Sequence, residues 1–406
     1  MKKEISHKLE VVYCRGFQAV LKVGNYFMGY HMPKYMEGAG KIKELGAFLK
    51  TKGINDVLVV TGASLLRRGM PQPMLEGMRK AGIRFTVLDL VDPDPTSDDV
   101  EAGYKLYKEK GCKSIVALGG GSRIDCAKGI AAKAVHPKKK VSQLQGLLKV
   151  HWPIPPFVAI PTTAGAGSET TVAAVITDSE THRKASINDP FLIPKYAVLD
   201  PELTVGLPPY TTATTGMDAL AHAVEAYTNH TYNTRLENDL ARKAVKLIHD
   251  NILIAVEDGS NLEARQNMQR AAFYAGRAFT RGCVGYVHAI GHTLGGLYGV
   301  AHGLAMSVLL PHVMREYGKA AHKRLAELAD VCEIGGANQA EKAEGFIRWI
   351  EETNAKMGLP NRFDVIKDED IEQMITWARK EANPLYPVPV IWSRDDFRTL
   401  IAKIRA

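Results

Sequence analysis

The chain has 406 residues, of which 46% are hydrophobic and 24% charged, a balance typical of folded globular proteins. This composition excludes a disordered, collagen-like or disulfide-rich chain, and the length favours two domains over one. The 52 Lys and Arg against 44 Asp and Glu give a net charge of +8. These basic residues are spread along the chain and form no stripe, so we expect no nucleic-acid partner.

The five cysteines form no C-x-x-C pair and have no regular spacing, which favours reduced thiols in a cytosolic protein. The sequence opens Met1-Lys2-Lys3 and continues with charged residues instead of the apolar stretch of a signal peptide. We therefore expect a cytoplasmic protein.

Five short apolar runs in the first half are rich in β-branched residues and bounded by Gly, Pro or Asp, which indicates buried strands. Amphipathic stretches between them predict crossover helices, so the first half should be an α/β layer with a parallel sheet. The runs are DVLVVTG (56–62), IRFTVLDLV (83–91), KSIVALGGG (113–121), PFVAIP (156–161) and KYAVLD (195–200).

Beyond residues 201–216, whose prolines and glycines indicate a boundary, strand signals stop and helical patterns follow. Two helices are especially clear, at 240–258 and at 341–358, where Gly358 and Pro360 mark the end. We predict an α/β domain over 1–207, with 1–32 as an N-terminal extension. An all-α domain should cover 208–406.

Residues 282–314 carry no Lys, Arg, Asp or Glu and are long enough to span a bilayer. Seven glycines, four histidines and Pro311 interrupt this segment, however, and polar groups are rare in bilayer helices. The segment therefore predicts a buried polar site, and we expect no membrane association.

Two glycine-rich loops follow predicted strands. The first, GGGS at 119–122, leads into a helix, so its backbone N–H groups and the helix dipole favour an anion such as a diphosphate. Alone, it equally fits a turn that is glycine-rich for packing. The second loop, 161–171, offers threonine and serine donors at the end of another parallel strand, where open α/β sheets bind ligands. Neither loop is G-x-G-x-x-G, so the nucleotide domain differs from an ordinary Rossmann domain.

Histidines and an aspartate recur with helical spacing in the second half. Asp218 and His222 are four residues apart, as are His288 and His292, and His302 follows in the same uncharged segment. A single such pair is explained by buried core histidines whose ring nitrogens have hydrogen-bond partners. Burying so many polar rings without partners is costly, however, and the set together favours a metal site. Nitrogen and carboxylate ligands suit Zn, Fe, Mn, Co or Ni.

Four motifs in this order, GGGSRIDCAKG, IPTTAGAGSE, MDALAHAVEAY and HAIGHTLGGLYGVAHG, resemble the iron-containing (group III) alcohol dehydrogenase family. The resemblance runs from about residue 33 to the end. It implies an N-terminal α/β nucleotide domain similar to dehydroquinate synthase and a helical C-terminal domain, with cofactor and metal in the cleft between them.

The resemblance also implies residue roles. Asp218, His222, His288 and His302 would ligate the metal, and His292 would lie near substrate and nicotinamide. Phe279 would form an apolar wall of the substrate pocket. The cofactor would be bound by Gly119, Gly120, Gly121, Ser122, Asp125, Thr162, Thr163, Ser168 and Lys184.

Two positions depart from the family pattern. NAD-using relatives commonly carry an acidic residue where this chain has Gly62, and without it a 2′-phosphate is no longer repelled. Ser64 with Arg67 or Arg68 would then receive that phosphate, so we predict that NADP(H) is accepted and can be preferred over NAD(H). The second departure is Asp94, at a ribose contact where relatives often have Asn.

The predicted reaction is reversible hydride transfer between nicotinamide and a primary alcohol or aldehyde. Fe(II) would serve as Lewis acid, and His292 would relay the alcohol proton. The alternatives are a Zn-dependent glycerol or polyol dehydrogenase and a dehydroquinate-synthase-like lyase. We expect a small alcohol or aldehyde substrate and a homodimer or larger homo-oligomer.

Overall fold

The computed structural model describes residues 2–90, 95–180 and 184–406. Contacts divide the chain into two compact units: an α/β unit, Gly29–Leu207 with Gly259–Gly276, and a helical unit, Met1–Met28 with Pro208–Asp258 and Arg277–Ala406. This differs from the predicted two-segment division in two places. The N-terminal extension groups with the helical unit because its polar side chains bond to that unit's backbone, and residues 259–276 group with the α/β unit.

The α/β unit contains a six-stranded parallel sheet in the order β1-β9-β6-β4-β2-β3 and a small three-stranded sheet in the order β5-β8-β7. All five predicted strands are present and lie in the large sheet, as expected. The strands are β1 Lys34–Glu37, β2 Asp56–Gly62, β3 Arg84–Leu90, β4 Ser114–Gly119, β5 Gly146–Leu147, β6 Phe157–Pro161, β7 Ala173–Thr177, β8 Lys184–Asn188 and β9 Tyr196–Leu199.

Helices of the α/β unit cover both faces of the large sheet, and α10 contributes its first part to this unit. The helices of the whole described chain are α1 Lys2–Tyr26, α2 Leu45–Thr51, α3 Ala63–Arg67, α4 Gln72–Lys80, α5 Ser97–Glu109, α6 Gly121–Val135, α7 Val141–Leu144, α8 Pro209–Thr228, α9 Arg235–Glu257, α10 Leu262–Gly282, α11 Tyr286–Tyr298, α12 His302–Glu316, α13 Lys319–Val331, α14 Gln339–Lys356, α15 Ile371–Ala382 and α16 Arg394–Ile404.

Alternate side chains of the central strands pack in two separate cores. Leu58 and Val60 of β2 join the core that contains α6, whereas Val57 and Val59 join the core that contains α2 and α4. Successive side chains of a strand point to opposite faces, so a continuous apolar run requires helices on both sides. Burial of both faces explains why such strands appear in the sequence as unbroken apolar runs.

The first long helix of the helical unit overlaps the predicted boundary segment. Helix α8 starts at Pro209, so the threonine-rich end of the predicted boundary segment 201–216 forms its first turns. Proline suits a first helical turn because its missing N–H would have no partner there. The threonine hydroxyls bond back to carbonyls of the preceding turn, as Thr215 Oγ1 does to Thr211 at 2.7 Å.

Helix α12 continues through Pro311. A proline removes the hydrogen bond to the carbonyl four residues earlier, here that of Ser307. Asn354 of α14 supplies the replacement, since its Nδ2 donates to the Ser307 carbonyl at 2.7 Å. The Asn354 side chain therefore satisfies the carbonyl oxygen that Pro311 leaves without a backbone partner. Across the described residues, no helix combines the length and apolar composition needed to cross a bilayer.

Candidate active site and nucleotide loops

Three helices bring the four predicted metal ligands together. Asp218 and His222 lie one turn apart on α8, His288 lies in the first turn of α11, and His302 is the first residue of α12. One potential ligand atom from each residue lies within 4.8 Å of all the others. His292, although one turn beyond His288, is not part of this group.

The ligand atoms converge on Asp218. Its Oδ1 lies 3.7 Å from His222 Nδ1, 3.7 Å from His288 Nε2 and 3.3 Å from His302 Nε2. The Asp218 oxygen and the His222 and His288 nitrogens are buried and have no hydrogen-bond partner within the described protein. Buried polar atoms without partners are rare, and a divalent cation satisfies all of them. The donor set of three imidazoles and one carboxylate therefore fits an Fe(II)- or Zn-type ion.

Burial and mutual charge set the protonation of these groups. Burial opposes ionisation of Asp218, but the imidazoles around it outweigh burial and hold the pKa of the carboxyl well below its usual range. Burial lowers the pKa of His222 to about 3. This imidazole is therefore neutral at pH 7, the state that binds a metal.

Glu225, one turn beyond His222 on α8, was missed by the sequence analysis. It is buried, its Oε2 lies 2.6 Å from His288 Nδ1, and its Oε1 accepts the backbone N–H of Val287 at 2.7 Å. A carboxylate on the far nitrogen of a ligating histidine fixes both ring orientation and tautomer. The available signal was spacing, since residues 218, 222 and 225 share one helix face.

The loop before α11 is held by Asn229, just after α8. Its Nδ2 donates to the carbonyl of Val284 at 2.9 Å and lies near those of Gly282 and Cys283. A side-chain amide thus takes the place of backbone pairing in this irregular segment. The start of α11, and with it His288, is fixed relative to α8.

His292 lies beside the ligand group without joining it. Its ring stacks on His302, with centroids 5.3 Å apart, and 44% of its side chain is exposed. Its Nδ1 is 2.7 Å from Glu381 Oε1, which also accepts a hydrogen bond from the Tyr386 hydroxyl at 3.1 Å. Burial and the neighbouring Glu381 raise the pKa of Tyr386 well above its ordinary value, so this hydroxyl keeps its proton.

Phe279, the predicted apolar wall, lies against the ligand group. Its ring stacks on His222 with centroids 4.1 Å apart and planes tilted by 13°. His222 stacks in turn on His288 at 4.4 Å. The ligand group therefore has an apolar side formed by an aromatic ring.

In the α/β unit, the two glycine-rich loops touch at the carboxyl ends of neighbouring strands β4 and β6. Thr162 donates its backbone N–H to the Gly119 carbonyl at 3.0 Å. A Cβ added at Gly121 would lie only 2.8 Å from the side chain of Ala166, so glycine is required at the N-terminus of α6. A Cβ added at Gly120 would lie 3.5 Å from the Thr163 side chain, an ordinary van der Waals contact, so the two loops are close there without requiring glycine at 120. Backbone N–H groups at this helix start are available for an anion.

Asp125, on the second turn of α6, bonds to the second loop and its continuation. Its Oδ1 accepts the Ser168 hydroxyl at 2.5 Å, and its Oδ2 accepts the N–H of Val175 at 3.0 Å. The Nζ of Lys128, one turn further, donates to the Thr171 carbonyl at 2.8 Å and the Ala173 carbonyl at 2.8 Å. Helix α6 therefore holds the second loop from Ser168 to β7.

The remaining predicted cofactor residues lie around the same unit. Gly62 ends β2 and is buried, while Ser64 is exposed on α3. Lys184 begins β8 and pairs with the end of β7. Asp94 lies outside the described residues. The guanidinium of Arg123, in the first turn of α6, lies beside Gly62: a Cβ there would be 3.0 Å from Arg123 Nε.

Two family models match nearly the whole chain. The model described as "Iron-containing alcohol dehydrogenase" matches residues 33–201, and "Fe-containing alcohol dehydrogenase family, C-terminal" matches residues 212–404. The chain belongs to the iron-containing alcohol dehydrogenase family. This confirms the family, the α/β-plus-helical fold class and the reaction class expected of this dehydrogenase. The α1 helix precedes the region that the family models cover.

Similar proteins of the family use either nicotinamide cofactor. The dehydrogenase is 38% identical over 344 residues to the NAD-dependent methanol dehydrogenase of Bacillus methanolicus, covering 84% of this chain and 90% of that protein. It is 33% identical over 329 residues to the NADPH-dependent butanol dehydrogenase of Clostridium saccharobutylicum, covering 80% and 82%.

A solved structure of 1,3-propanediol oxidoreductase matches the dehydrogenase with a TM-score of 0.89 and 35% identity over 93% of this chain and all of that one. These similarities support an alcohol dehydrogenase and not the glycerol-type or lyase alternatives.

Proposed function

We propose that this dehydrogenase interconverts a short primary alcohol and its aldehyde with a metal ion held by Asp218, His222, His288 and His302. The observation that carries this proposal is the set of three buried ligand atoms that have no partner within the described protein. When bound, Fe(II) supplies Lewis acidity toward the substrate oxygen, and nicotinamide accepts or donates the hydride. We keep the cytoplasm as the expected location and a homo-oligomer as the expected state.

The apolar side of the ligand group supports a small aliphatic substrate. The Phe279 ring stacks on His222, next to the ligand atoms, and offers no hydrogen-bonding group to a substrate. A polar sugar acid or polyol would lose hydration against such a ring without new hydrogen bonds. Short alkyl chains gain from the same contact.

His292 is our candidate for moving the alcohol proton. Because Nδ1 donates to Glu381, the neutral ring presents Nε2 as the acceptor. The partly exposed ring can then pass the proton to water. Tyr386 donates to the same carboxylate, so Glu381 is held in place to orient the ring.

For the cofactor, we propose that the dinucleotide diphosphate lies at the start of α6, against the two loops. Ser122, Thr162, Thr163 and the backbone of Gly119–Gly121 offer donors there, with Lys184 at the ribose. Asp125 uses both oxygens within the protein, so we assign it the holding of Ser168 and the second loop. Its contribution to the cofactor is then indirect.

We further propose that the enzyme accepts NADP(H) and that Arg123 receives the 2′-phosphate. Arg123 lies at Gly62, where an acidic residue would otherwise hold the adenosine ribose. Guanidinium groups bind phosphate through charge-assisted hydrogen bonds. Arg67, Arg68 and Ser64 on or next to α3 are the exposed alternatives named from the sequence.

The test measures NADPH and NADH oxidation with butanal, under anaerobic conditions, on metal-stripped enzyme with and without added Fe(II). We expect activity only after Fe(II) is added. His292→Ala should then lower kcat and shift its pH dependence while the bound metal content stays unchanged. Absence of activity with Fe(II), Zn and Mn, or an unchanged His292→Ala rate profile, would contradict the respective proposals.

A further inference from the structure

The N-terminal helix α1, together with Phe27 directly after it, exposes a row of large apolar side chains. Eight of them have more than half of their surface exposed to solvent, which is unusual for a folded protein. The eight are Ile5 53%, Leu9 66%, Val12 70%, Tyr13 62%, Val20 75%, Val23 63%, Tyr26 78% and Phe27 80%.

These residues follow a heptad pattern. Positions that are alternately four and three residues apart along the helix hold apolar or small residues over three heptads. A third row of apolar residues lies beside these two rows. The two strict rows are Ile5, Leu9, Val12, Gly16, Ala19, Val23 and Tyr26, and the flanking row is Tyr13, Val20 and Phe27. We call this surface, Ile5–Phe27 at these positions, the α1 stripe. Such a pattern is typical of a helix that packs along another helix.

The opposite face of α1 is the one that packs on its own unit, and it is largely polar. Gln18 and Asn25 are buried there together with Cys14. Gln18 Nε2 donates to the carbonyls of Pro384 at 3.0 Å and Tyr386 at 2.9 Å. Rotating the helix to bury its apolar side would leave these polar groups without partners.

Two charged residues fix the helix further. Arg15 Nη2 donates to the carbonyls of Val388 at 2.9 Å and Pro389 at 3.0 Å. Glu10 pairs with Arg379 of α15 at 2.5 Å. The α1 stripe is thus held outward by specific bonds along the helix.

The exposed area matches what a stable dimer buries. Taking about 150–230 Å² for each fully exposed side chain, the eight exposed fractions add up to roughly 1,000 Å² of mostly apolar surface. The largest apolar patch of a typical monomer is about 300–600 Å². A standard protein interface buries about 800 Å² on each partner. The stripe is therefore large enough for one complete interface.

The centre of the α1 stripe is Gly16. A Cβ at this position would meet no atom of the described chain within 4 Å, so no contact within the chain requires glycine. Glycine in a helix interior costs about 1 kcal/mol relative to alanine. A second helix crossing there would gain from the missing side chain, because the two backbones can approach closely.

We propose that a second copy of this chain covers the α1 stripe, with the two α1 helices antiparallel and crossing at Gly16. The stripe is nearly symmetric about this residue: Leu9 and Val23 lie seven residues to either side, and Val12 and Val20 four. An isologous pair therefore places Leu9 against the partner's Val23 twice. The proposal does not depend on the proposed activity. It specifies the surface through which the expected homo-oligomer would form.

A membrane surface fits the α1 stripe less well. Helices that lie on membranes present a polar face rich in Lys and Arg to water. In α1 that face is turned to the protein and contains Gln18 and Asn25. Binding to vesicles is nevertheless one of the outcomes that the test distinguishes.

The first experiment measures the mass of the full-length protein by sedimentation velocity over a range of micromolar concentrations. The double variant Leu9→Glu/Val23→Glu is compared with the control Leu236→Glu/Ile254→Glu, which changes two apolar residues of α9 that are 47% and 44% exposed. We expect Leu9→Glu/Val23→Glu to raise the dissociation constant of one dimer interface at least 100-fold. The control variant should keep the dissociation constant of the wild type, and kcat should be unchanged in both variants. Circular dichroism verifies that both variants are folded.

The second experiment tests the geometry by cross-linking with diamide. Gly16→Cys should form a disulfide between two copies of the chain, whereas Val12→Cys and Val20→Cys should not. In an antiparallel pair that crosses at residue 16, residue 12 of one chain lies far from residue 12 of the other, and the same holds for residue 20. Equal cross-linking of all three would indicate parallel helices and overturn the proposal. A monomeric wild-type chain, an assembly unaffected by Leu9→Glu/Val23→Glu, or stripe-dependent binding to phosphatidylserine vesicles without self-association would also overturn it. None of the outcomes that would overturn the proposal is read from substrate turnover.

Discussion

Glu225 Oε2 lies 2.6 Å from His288 Nδ1, and the opposite nitrogen of the same ring, Nε2, lies 3.7 Å from Asp218. The carboxylate therefore fixes which nitrogen of His288 faces the ligand group. The second oxygen of Glu225 accepts the Val287 amide, so both of its acceptors are used. Glu225 therefore orients one of the four proposed metal ligands although it is not itself one of them.

Glu225→Gln should lower iron affinity about 10- to 100-fold, the usual effect of losing such a partner. The amide keeps the size but can turn a donor toward His288, which disfavours the required tautomer. Iron retention against a competing chelator gives the measurement. Glu237→Gln is the matched control, because Glu237 is equally buried but pairs with Arg277. Equal iron affinity in wild type and Glu225→Gln would disprove the assignment.

Metal removal should destabilise the folded protein, since an ion that binds only the native state adds stability in proportion to the logarithm of its concentration over its dissociation constant. We expect chelation to lower the thermal midpoint of the wild type and readdition of Fe(II) to restore it. Asp218→Asn should abolish this response, because it removes the carboxylate that all three imidazoles face. A variant midpoint that still rises with Fe(II) would place the ion elsewhere.

The sequence was informative where burial is uniform. Strands β2, β4 and β6 are buried on both faces and therefore appear as apolar runs, and the four-residue spacing of Asp218 and His222 predicted that they lie side by side on α8. Edge strand β1, with the mixed sequence KYME and exposed first residues, carries no such run. The β7–β8 hairpin was missed for the same reason, since its side chains alternate in exposure.

Partnerships between distant residues could not be predicted. Nothing local links Glu381 to His292, 89 residues apart, or Asn354 to the carbonyl freed by Pro311. The orientation of α1 is the clearest case, because helical periodicity alone would turn its apolar face inward. The bonds of Arg15 and Gln18 to residues 384–389 reverse that expectation, and they exist only in the folded chain.

The cofactor proposal predicts a specific role for Arg123. Arg123→Met should raise KM for NADPH about 10- to 100-fold, equivalent to one charge-assisted hydrogen bond of about 1.5–3 kcal/mol, and leave KM for NADH nearly unchanged. Gly62→Asp should shift preference the same way, because its carboxylate would lie beside Arg123 and repel the 2′-phosphate. Arg67→Met on α3 is the control. If Arg67→Met raised KM for NADPH more than Arg123→Met does, binding of the 2′-phosphate would be assigned to α3 instead.

Asp125 should act on cofactor affinity without touching the metal. Asp125→Asn keeps one acceptor oxygen, so either Ser168 or the Val175 amide loses its partner and the second loop loosens. We expect KM for the nicotinamide cofactor to rise several-fold with iron affinity unchanged. Asp125→Ala should have a larger effect and Asp125→Glu no rescue, because the longer side chain displaces the loop. Parallel losses of cofactor and iron affinity would indicate general unfolding instead.

Glu169, in the second loop, should make stability depend on pH. Burial raises its pKa to about 7 from an ordinary 4.5, so the folded chain holds a proton there that the unfolded chain releases first. Stability from this group is therefore full below pH 4.5 and is lost as pH rises through about 7, by up to about 3 kcal/mol. Burial lowers the pKa of nearby Lys128 to about 8, an effect of opposite sign that sets in above that pH.

Glu169→Gln removes the titration while keeping the side-chain size. The difference in thermal midpoint, variant minus wild type, should therefore be small at pH 5 and clearly positive at pH 7.5, since only the wild type must bury a charge there. The exposed Glu76 of α4 provides the control, and Glu76→Gln should show no such trend. If the Glu169→Gln difference is the same at both pH values, the carboxylate is already ionised or already satisfied at pH 5, and burial does not govern its proton.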